Sequence, residues 1–267
     1  MSRPASSSSI PRKLLANKQN LAPSLRDGSL QLRAYGGSRH YLSSLPSGRA
    51  PSILDGLSMR LMPLGGSITL GVGSSDGNGY RKALYDALQS SGCDVHMVGS
   101  RKMGSMEANS HEGWRGFRID EIERKAKMSI SKCKPNLLTV NAGSNDCLQD
   151  MDIEEFGKRI SNLLDFICFA APDSTVILST LVVNMDSNVN SRVLRANDQI
   201  RTLADRDSVG HQRIVLADMC TNEGPSIEDI GSDGTHPNDV GYQKMARIWF
   251  QSIQEAAVKG YIREPNI

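Results

Sequence analysis

Residues 59–69, with the sequence MRLMPLGGSIT, contain the clearest structural pattern in the chain. The first half of this stretch, from Met59 to Leu64, is a mostly apolar run with the length of a buried β-strand. Gly65 and Gly66 follow, and adjacent glycines permit a tight turn that larger residues would resist. Ser67 comes next. The pattern therefore predicts a strand, a turn and a serine held above the end of that strand.

The same alternation of short apolar runs and longer helical patterns continues along the chain. Further strands are predicted at 95–99, 136–141, 175–181 and 213–217, and helices at 80–89, 119–128, 153–169, 189–204 and 240–257. Strands that alternate with helices indicate βαβ units, and continuous apolar strands indicate helices on both sheet faces. We therefore predict an α/β fold with a parallel five-stranded sheet. Sites are expected where loops leave the C-terminal strand ends.

The composition is that of an ordinary globular domain. The 267 residues suffice for one sizeable domain, with 39% hydrophobic and 22% charged residues. A formal net charge of +2 argues against bulk attraction to nucleic acid. No apolar run reaches the roughly 18 residues needed to cross a bilayer. We therefore expect a monomer with neither a nucleic-acid partner nor a membrane span.

The cysteines and histidines give no metal pattern. The five cysteines are dispersed, without a CxxC pair, at Cys93, Cys133, Cys147, Cys168 and Cys220. Such a set favours buried thiols over a complete disulfide framework, with one or two disulfides in a secreted protein as the alternative. The histidines do not supply the spacing of a ligand set, so no metal and no cofactor is expected.

The N-terminal segment differs from the rest. Residues 1–50 are rich in Ser, Pro, Gly and Arg and carry eight basic residues against one acid, Asp27. Without apolar periodicity the segment cannot bury much surface, so residues 1–55 are predicted to be disordered or loosely attached. The segment lacks the apolar core of a secretory signal. Its composition favours a tail without function, and it is also compatible with an organelle transit peptide, so no compartment is assigned.

Three loops at the predicted sheet edge carry polar residues. Ser67 follows the first strand and is either a nucleophile or a helix-capping serine. Asn145, in the loop after the third strand, offers an amide to a developing oxyanion, or belongs to an ordinary turn. Asp233 and His236 stand three residues apart before the last helix, where a carboxylate could orient a basic imidazole. Together the loops supply the parts of serine-based acyl transfer.

Nucleotide binding is an alternative function, because glycine-rich turns after strands can bind phosphate groups. The first loop contains Gly66-x4-Gly71, but Val72 stands where a phosphate-binding loop needs lysine. Asp76 likewise stands where a dinucleotide motif needs glycine or alanine. Both departures argue against this class.

Four blocks resemble, in order, those of the SGNH (GDSL-like) hydrolases. They are Gly65-Gly66-Ser67-Ile68-Thr69, His111-Glu112-Gly113-Trp114-Arg115-Gly116-Phe117, Gly143-Ser144-Asn145-Asp146 and Asp233-Gly234-Thr235-His236-Pro237. The second block resembles the form found in acetylxylan-esterase-like members. The resemblance implies a flavodoxin-like three-layer α/β/α sandwich in a hydrolase domain at 56–262. It also implies that Ser67 is the nucleophile, that His236 is the base oriented by Asp233, and that Ser67, Gly116 and Asn145 supply the oxyanion donors.

The resemblance implies a serine esterase that hydrolyses small acyl esters, chiefly acetyl esters of carbohydrate. One departure bears on this hypothesis: the family usually has Asp where this chain has Gly66. That Asp is not the acid of the triad, so the nucleophilic parts remain complete. A noncatalytic carbohydrate- or ester-binding relative and a lipase or lysophospholipase-type esterase stay as alternatives.

Overall fold

The computed structural model describes residues 52–209 and 213–266. The segment predicted at 1–55 lies outside the described residues except for its last four positions, so its boundary stays a prediction. In the described part of the chain, no helix is both long and apolar enough to traverse a bilayer.

A mainly parallel sheet forms the middle layer. In the described ranges it contains β1 (Ser58–Gly65), β2 (Asp94–Met97), β3 (Arg101–Lys102), β4 (Ser110–Gly113), β5 (Leu137–Asn141), β6 (Thr175–Ser179) and β7 (Ile214–Ala217). On one side of β1 the strands β5, β6 and β7 follow in parallel. On its other side β2 pairs with the first half of β1 and β4 with the last two residues, and β3 runs antiparallel to β4.

The sheet confirms the predicted fold class and corrects the strand count. All five predicted strands are present within a few residues, but the number five is too low because β3 and β4 also join the sheet. β4 reads Ser-His-Glu-Gly and shows no apolar run, although its last three residues are buried. Hydrogen bonds rather than apolar character make that burial tolerable, so hydrophobic pattern could not reveal the strand.

Helices cover both faces of the sheet. They are α1 (Ser67–Leu70), α2 (Tyr80–Ser90), α3 (Ile119–Cys133), α4 (Ser144–Leu148), α5 (Phe156–Ala170), α6 (Ser187–Val209) and α7 (Asp239–Val258). The core on one face joins the sheet to α3, α5 and α6, and the core on the other joins it to α2 and α7. This arrangement is the expected three-layer α/β/α sandwich.

The helix faces follow from residue spacing. In α3 the buried residues Ile119, Ile122, Ala126 and Ile130 recur every three or four positions and meet the sheet along one stripe. Full burial of a side chain such as Ile122 contributes roughly 1.5–3 kcal/mol. In β5 and β6 every residue is buried, as expected for strands covered on both faces. The packed layers thus hold the C-terminal strand ends, and the loops that leave them, at fixed places.

Candidate active site

The turn between β1 and α1 places Ser67 at the C-terminal edge of the sheet. Gly65 allows the turn because a Cβ there would lie 2.1 Å from the carbonyl oxygen of Asn141 and 2.4 Å from Thr69 Oγ1. The Gly66 amide donates to the same Asn141 oxygen at 3.3 Å. Ser67 is therefore held by backbone on both sides, and its side chain is mostly buried.

The loop of residues 231–238 brings an imidazole to this serine. His236 Nε2 lies 2.7 Å from Ser67 Oγ, and His236 Nδ1 lies 2.6 Å from Asp233 Oδ2. Because a carboxylate only accepts, Nδ1 carries the proton and Nε2 accepts from the Ser67 hydroxyl. The three side chains thus form one hydrogen-bonded chain that joins parts of the sequence 169 residues apart.

Asp233 is organised by its own loop. Its Oδ1 accepts hydrogen bonds from the amides of Thr235 and His236, both at 3.0 Å. Burial raises the pKa of Asp233, but these two amides and the imidazole outweigh burial and lower the pKa to about 2. The carboxylate is consequently ionised throughout the neutral range, where it favours the proton on Nδ1.

Backbone of the loop after α1 supports the far side of His236. A Cβ at Gly73 would lie 2.9 Å from His236 Cβ, so this close approach requires glycine. The loop is tied to α7 because the Tyr242 hydroxyl donates to Val72 O at 2.5 Å and the Ser75 amide donates to Asp239 Oδ1 at 2.8 Å. Sequence reasoning considered this loop only as a nucleotide motif and missed its contact with the imidazole.

The predicted oxyanion residues lie on the opposite side of Ser67. Asn145 is in the first turn of α4, and its Nδ2 donates to Phe117 O at 3.0 Å. A Cβ at Gly66 would lie 3.6 Å from Asn145 Nδ2 and 3.9 Å from Trp114 O, which places both loops beside the turn that holds Ser67. In the described part of the chain, the amides of Ser67 and Gly116 donate to no other protein group. Within the described ranges, neither amide is therefore committed to another protein group.

Gly116 belongs to a turn with an exposed outer side. Its φ of +81° is accessible to glycine at little cost, and a Cβ there would meet nothing within 4 Å. The Trp114 amide donates to Gly65 O at 2.9 Å, so the turn begins where β4 runs beside β1. Trp114 Nε1 donates at 2.9 Å to the buried carboxylate of Glu112, which also accepts two hydrogen bonds from Ser100.

The Trp114 ring is already occupied by protein contacts. It stacks on Phe117 with ring centroids 5.4 Å apart. The guanidinium of Arg101 lies 4.4 Å and the ammonium of Lys125 lies 4.2 Å from the centre of the ring. These contacts fit a residue that supports the turn, since cations over an indole face add attraction.

Arg81 and Asp146 are buried charged residues to which the sequence assigned no role. Arg81 is fully buried and its Nη2 donates to three backbone carbonyls, those of Leu70, Gly77 and Met103. Asp146 is also fully buried and accepts the amide of Ile119 at 3.1 Å. Asp146 did stand in the quoted Gly143–Asp146 block, so its position next to Asn145 was the available signal. Nothing comparable marked Arg81.

No metal site emerges from the described ranges 52–209 and 213–266, where His, Cys, Asp and Glu form no group of three or more suited to a metal ion. The site offers a hydroxyl, an imidazole, a carboxylate and a set of amide donors.

Comparison with known proteins defines the class to which this arrangement belongs. Residues 64–244 match the GDSL-like Lipase/Acylhydrolase family, and the chain belongs to that family. The domain is accordingly a carboxylic ester hydrolase by class. Membership agrees with the resemblance of the four sequence blocks.

Individual relatives agree with this class. A multidomain esterase of Ruminococcus flavefaciens is 27% identical over 251 residues, which cover 83% of this chain. The chain spans about a third of that relative, 31% of its length.

The solved structures that resemble the chain share its fold. A family 3 carbohydrate esterase of Clostridium thermocellum superposes with a TM-score of 0.69 at 23% identity, covering 76% of this chain and 99% of its own. A carbohydrate esterase family 3 from Talaromyces cellulolyticus gives 0.65 at 20% identity with the same coverage. Axe2, an acetylxylan esterase from Geobacillus stearothermophilus, gives 0.56 at 17% identity, covering 76% of this chain and 96% of its own.

Proposed function

We propose that the chain hydrolyses small acyl esters, chiefly acetyl esters of carbohydrate, through an acyl-enzyme at Ser67. The observation that carries the proposal is the hydrogen-bonded chain from Ser67 Oγ through His236 to Asp233, with distances of 2.7 Å and 2.6 Å. A serine is a weak nucleophile unless a base takes its proton, and a base works best when a third group fixes its tautomer.

In the first half of the reaction Ser67 Oγ attacks the ester carbonyl carbon while its proton passes to His236 Nε2. The imidazolium that forms is stabilised by the ionised Asp233. The carbonyl oxygen becomes an oxyanion, held by the amides of Ser67 and Gly116 and by Asn145 Nδ2. His236 then returns the proton to the departing alcohol, and the acyl group stays on Ser67.

In the second half water replaces the alcohol. His236 Nε2 takes a proton from the water as the oxygen attacks the acyl carbon, and the same donors hold the second oxyanion. Collapse of this intermediate breaks the bond to Ser67 Oγ, which recovers its proton from His236. The acid is released and the starting state of the site returns.

The size of the cleft supports a short acyl group. The enclosed space beside Ser67 measures only about 10 Å³ and is lined by Gly66, Ile68, Phe117, Asn141, Gly143, Ser144 and Asn145. Pockets for drug-sized ligands span roughly 300–1,000 Å³, so this cleft has no enclosed volume for a long acyl chain and suits an acetyl group better. A lipase-type substrate is disfavoured by the same measure.

Carbohydrate as the alcohol part is supported by the relatives. Two of the solved structures are carbohydrate esterases and Axe2 is an acetylxylan esterase. The activities of these relatives suggest which substrates to test on this chain. The reaction type is inferred from the distances at Ser67.

The departure at Gly66 does not undermine the proposal. The closest atom to a Cβ at this position would be Asn145 Nδ2 at 3.6 Å, so the missing side chain leaves a small space and no displaced neighbour. Ser67 keeps its 2.7 Å contact with the imidazole in the presence of that glycine. A catalytic site therefore fits the arrangement better than a noncatalytic binding site.

The test compares purified full-length chain with Ser67→Ala and with Ser91→Ala, a control at a helix end remote from the cleft. Substrates are p-nitrophenyl acetate and octanoate and acetylated xylooligosaccharides. We expect Ser67→Ala to lose at least about 10³-fold in kcat, with the control unchanged. We also expect turnover to fall at least tenfold from acetate to octanoate. A fluorophosphonate should label the wild type at Ser67; turnover by Ser67→Ala near the wild-type rate would refute the assignment.

A further inference from the structure

The turn that carries Gly116 and the helix that carries Asn145 leave different strands, β4 and β5, yet they are joined directly. Three hydrogen bonds form this seam: Asn145 Nδ2 to Phe117 O at 3.0 Å, the Ile119 amide to Asp146 Oδ2 at 3.1 Å, and Arg118 Nη1 to Gln149 Oε1 at 3.0 Å. The spacing between the two proposed oxyanion donors therefore depends on this seam and not on either element alone.

Asp146 is the buried charge in the seam. It is fully buried, whereas the bond between Arg118 and Gln149 is exposed to solvent. Its Oδ1 lies 3.3 Å from Arg159 Nε, so the carboxylate is held by an ion pair on one side and by the Ile119 amide on the other. A buried carboxylate with both partners is costly to disturb, because loss of one partner leaves a polar group unpaired.

Asp146 also sits at the beginning of α3. Ile119 is the first residue of this fifteen-residue helix, so its amide is one that no earlier turn of the helix can satisfy. A carboxylate at this end is favoured by the partial positive charge of the helix N-terminus. Asp146 thereby fixes the start of α3, and with it the end of the turn that contains Gly116, against α4.

We propose that Asp146 is a positioning residue, which sets the separation of the Gly116 amide and the Asn145 side chain for the oxyanion. The inference rests on the proposed function, since it assigns both groups to the same developing charge. Donors of this kind stabilise the transition state only when they lie within a few tenths of an ångström of the right place. Asp146 is adjacent to Asn145 and bonds to Ile119, which directly follows the turn that carries Gly116, so its loss should move one donor relative to the other.

The first experiment compares Asp146→Ala and Asp146→Asn with Asp218→Ala, all in the full chain. Asp218 is a matched control because it also accepts a backbone amide, from Cys220 at 3.1 Å, and pairs with an arginine, Arg201 at 2.8 Å. It lies at the end of β7 and outside the seam. Melting temperature, kcat and KM for p-nitrophenyl acetate are measured for each variant.

The expected result separates positioning from stability. Asp146→Ala should lower kcat at least about tenfold with KM within twofold, because an oxyanion forms only in the transition state. Asp146→Asn keeps an acceptor for Ile119 and should recover part of that loss. Asp218→Ala should lower the melting temperature and leave kcat unchanged. Equal kcat for wild type and both Asp146 variants would overturn the inference.

A double-mutant cycle tests whether Asp146 acts through Asn145. If it does, Asn145→Ala with Asp146→Ala should have a kcat within about twofold of Asn145→Ala alone. If the kcat losses of the two single variants multiply in the double variant, the inference is overturned. Asp146→Asn replaces Asp146→Ala in the cycle if the alanine variant does not fold. An inactive wild type, or an active Ser67→Ala, would instead refute the proposed function. Activity that depends on Ser67 but not on Asp146 would refute this inference alone.

Discussion

The two sides of Ser67 are built in opposite ways. On one side, the loop of residues 231–238, which carries the proposed acid–base pair, places Asp233 and His236 three positions apart, with side chains 51% and 13% exposed. On the other side, the proposed oxyanion donors belong to the turn of residues 114–118 and to α4, which leave different strands. Its central polar groups, Asn145 and Asp146, are buried and bonded to residues 27 or 28 positions away.

This difference indicates at which residues a substitution should change the rate with little change in the free energy of unfolding. Groups in a partly exposed local loop can be changed without opening the core, so their loss should appear mainly in the rate, and the stability that the ionised Asp233 adds should vary with pH. Groups buried between layers carry packing and hydrogen bonds as well, so their loss should appear in the rate and in the free energy of unfolding. The following substitutions test this contrast.

The largest expected effect is at the base. His236→Ala removes the proton acceptor, so kcat should fall about 10⁴-fold or more with an unfolding midpoint close to that of the wild type. Steady-state kinetics and urea denaturation measure the two quantities. His96→Ala is the control, because His96 is exposed and lies on β2, away from the cleft. A large loss of stability in His236→Ala would contradict the separation proposed for this loop.

Asp233→Asn should have the next largest effect, lowering kcat about 10³-fold near pH 7 since an amide does not stabilise the imidazolium. The folded-state pKa of Asp233, about 2, is below the unfolded value of roughly 3.9. The stability that Asp233 contributes is thus present above pH 4 and lost as pH falls through about 2. Unfolding midpoints of wild type and variant should therefore converge toward pH 2; a constant difference down to that pH would contradict the assignment.

Asn145→Ala should lower kcat about 10²-fold, the usual effect of removing one oxyanion donor. Here the unfolding free energy should fall too, by about 1–2 kcal/mol, because Phe117 O loses its hydrogen bond. Asn136→Ala is the matched control: its buried amide bonds two carbonyls at the opposite end of the sheet. The control should lose stability at unchanged kcat, and equal kcat for both variants would remove Asn145 from the reaction.

The smallest effect concerns the two adjacent glycines between the two sides. Gly65→Ala would place a Cβ 2.1 Å from backbone, so we expect a loss of about 2 kcal/mol or more of unfolding free energy. Gly66→Ala meets nothing closer than 3.6 Å and should stay within about 0.5 kcal/mol of the wild type. Urea denaturation compares the pair directly, and similar losses for both would show that the turn is looser than its contacts indicate.

Sequence alone predicted the parts of the molecule that obey local rules. The strand predicted at 175–181 is observed at Thr175–Ser179, and the helix predicted at 240–257 is observed at Asp239–Val258. The spacing of apolar residues predicts both segments. The spacing of Asp233 and His236 predicted for a similar reason that one loop holds both, and the structure places their side chains 2.6 Å apart; their acid–base role belongs to the proposed function.

The buried polar residues could not be predicted, because several of their hydrogen-bond partners lie far away in the sequence. Glu112 is buried in β4 because Ser100 and Trp114 bond to its carboxylate. His111 is buried beside it, and its Nδ1 accepts a hydrogen bond from the Gly113 amide. Arg81 is buried because carbonyls of separate loops converge on its guanidinium. A charged side chain ordinarily indicates a solvent-facing position, so only the tertiary structure reveals these exceptions.

The short antiparallel strand β3 has a consequence for the behaviour of the domain at high concentration. A parallel sheet that ended at β4 would offer unpaired amides and carbonyls to a second molecule, which invites aggregation. The chain covers this edge with only two residues, Arg101 and Lys102, both basic. A strand so short and so charged is a poor template for addition of another chain. We therefore expect β3 to disfavour edge-to-edge pairing between copies of the domain.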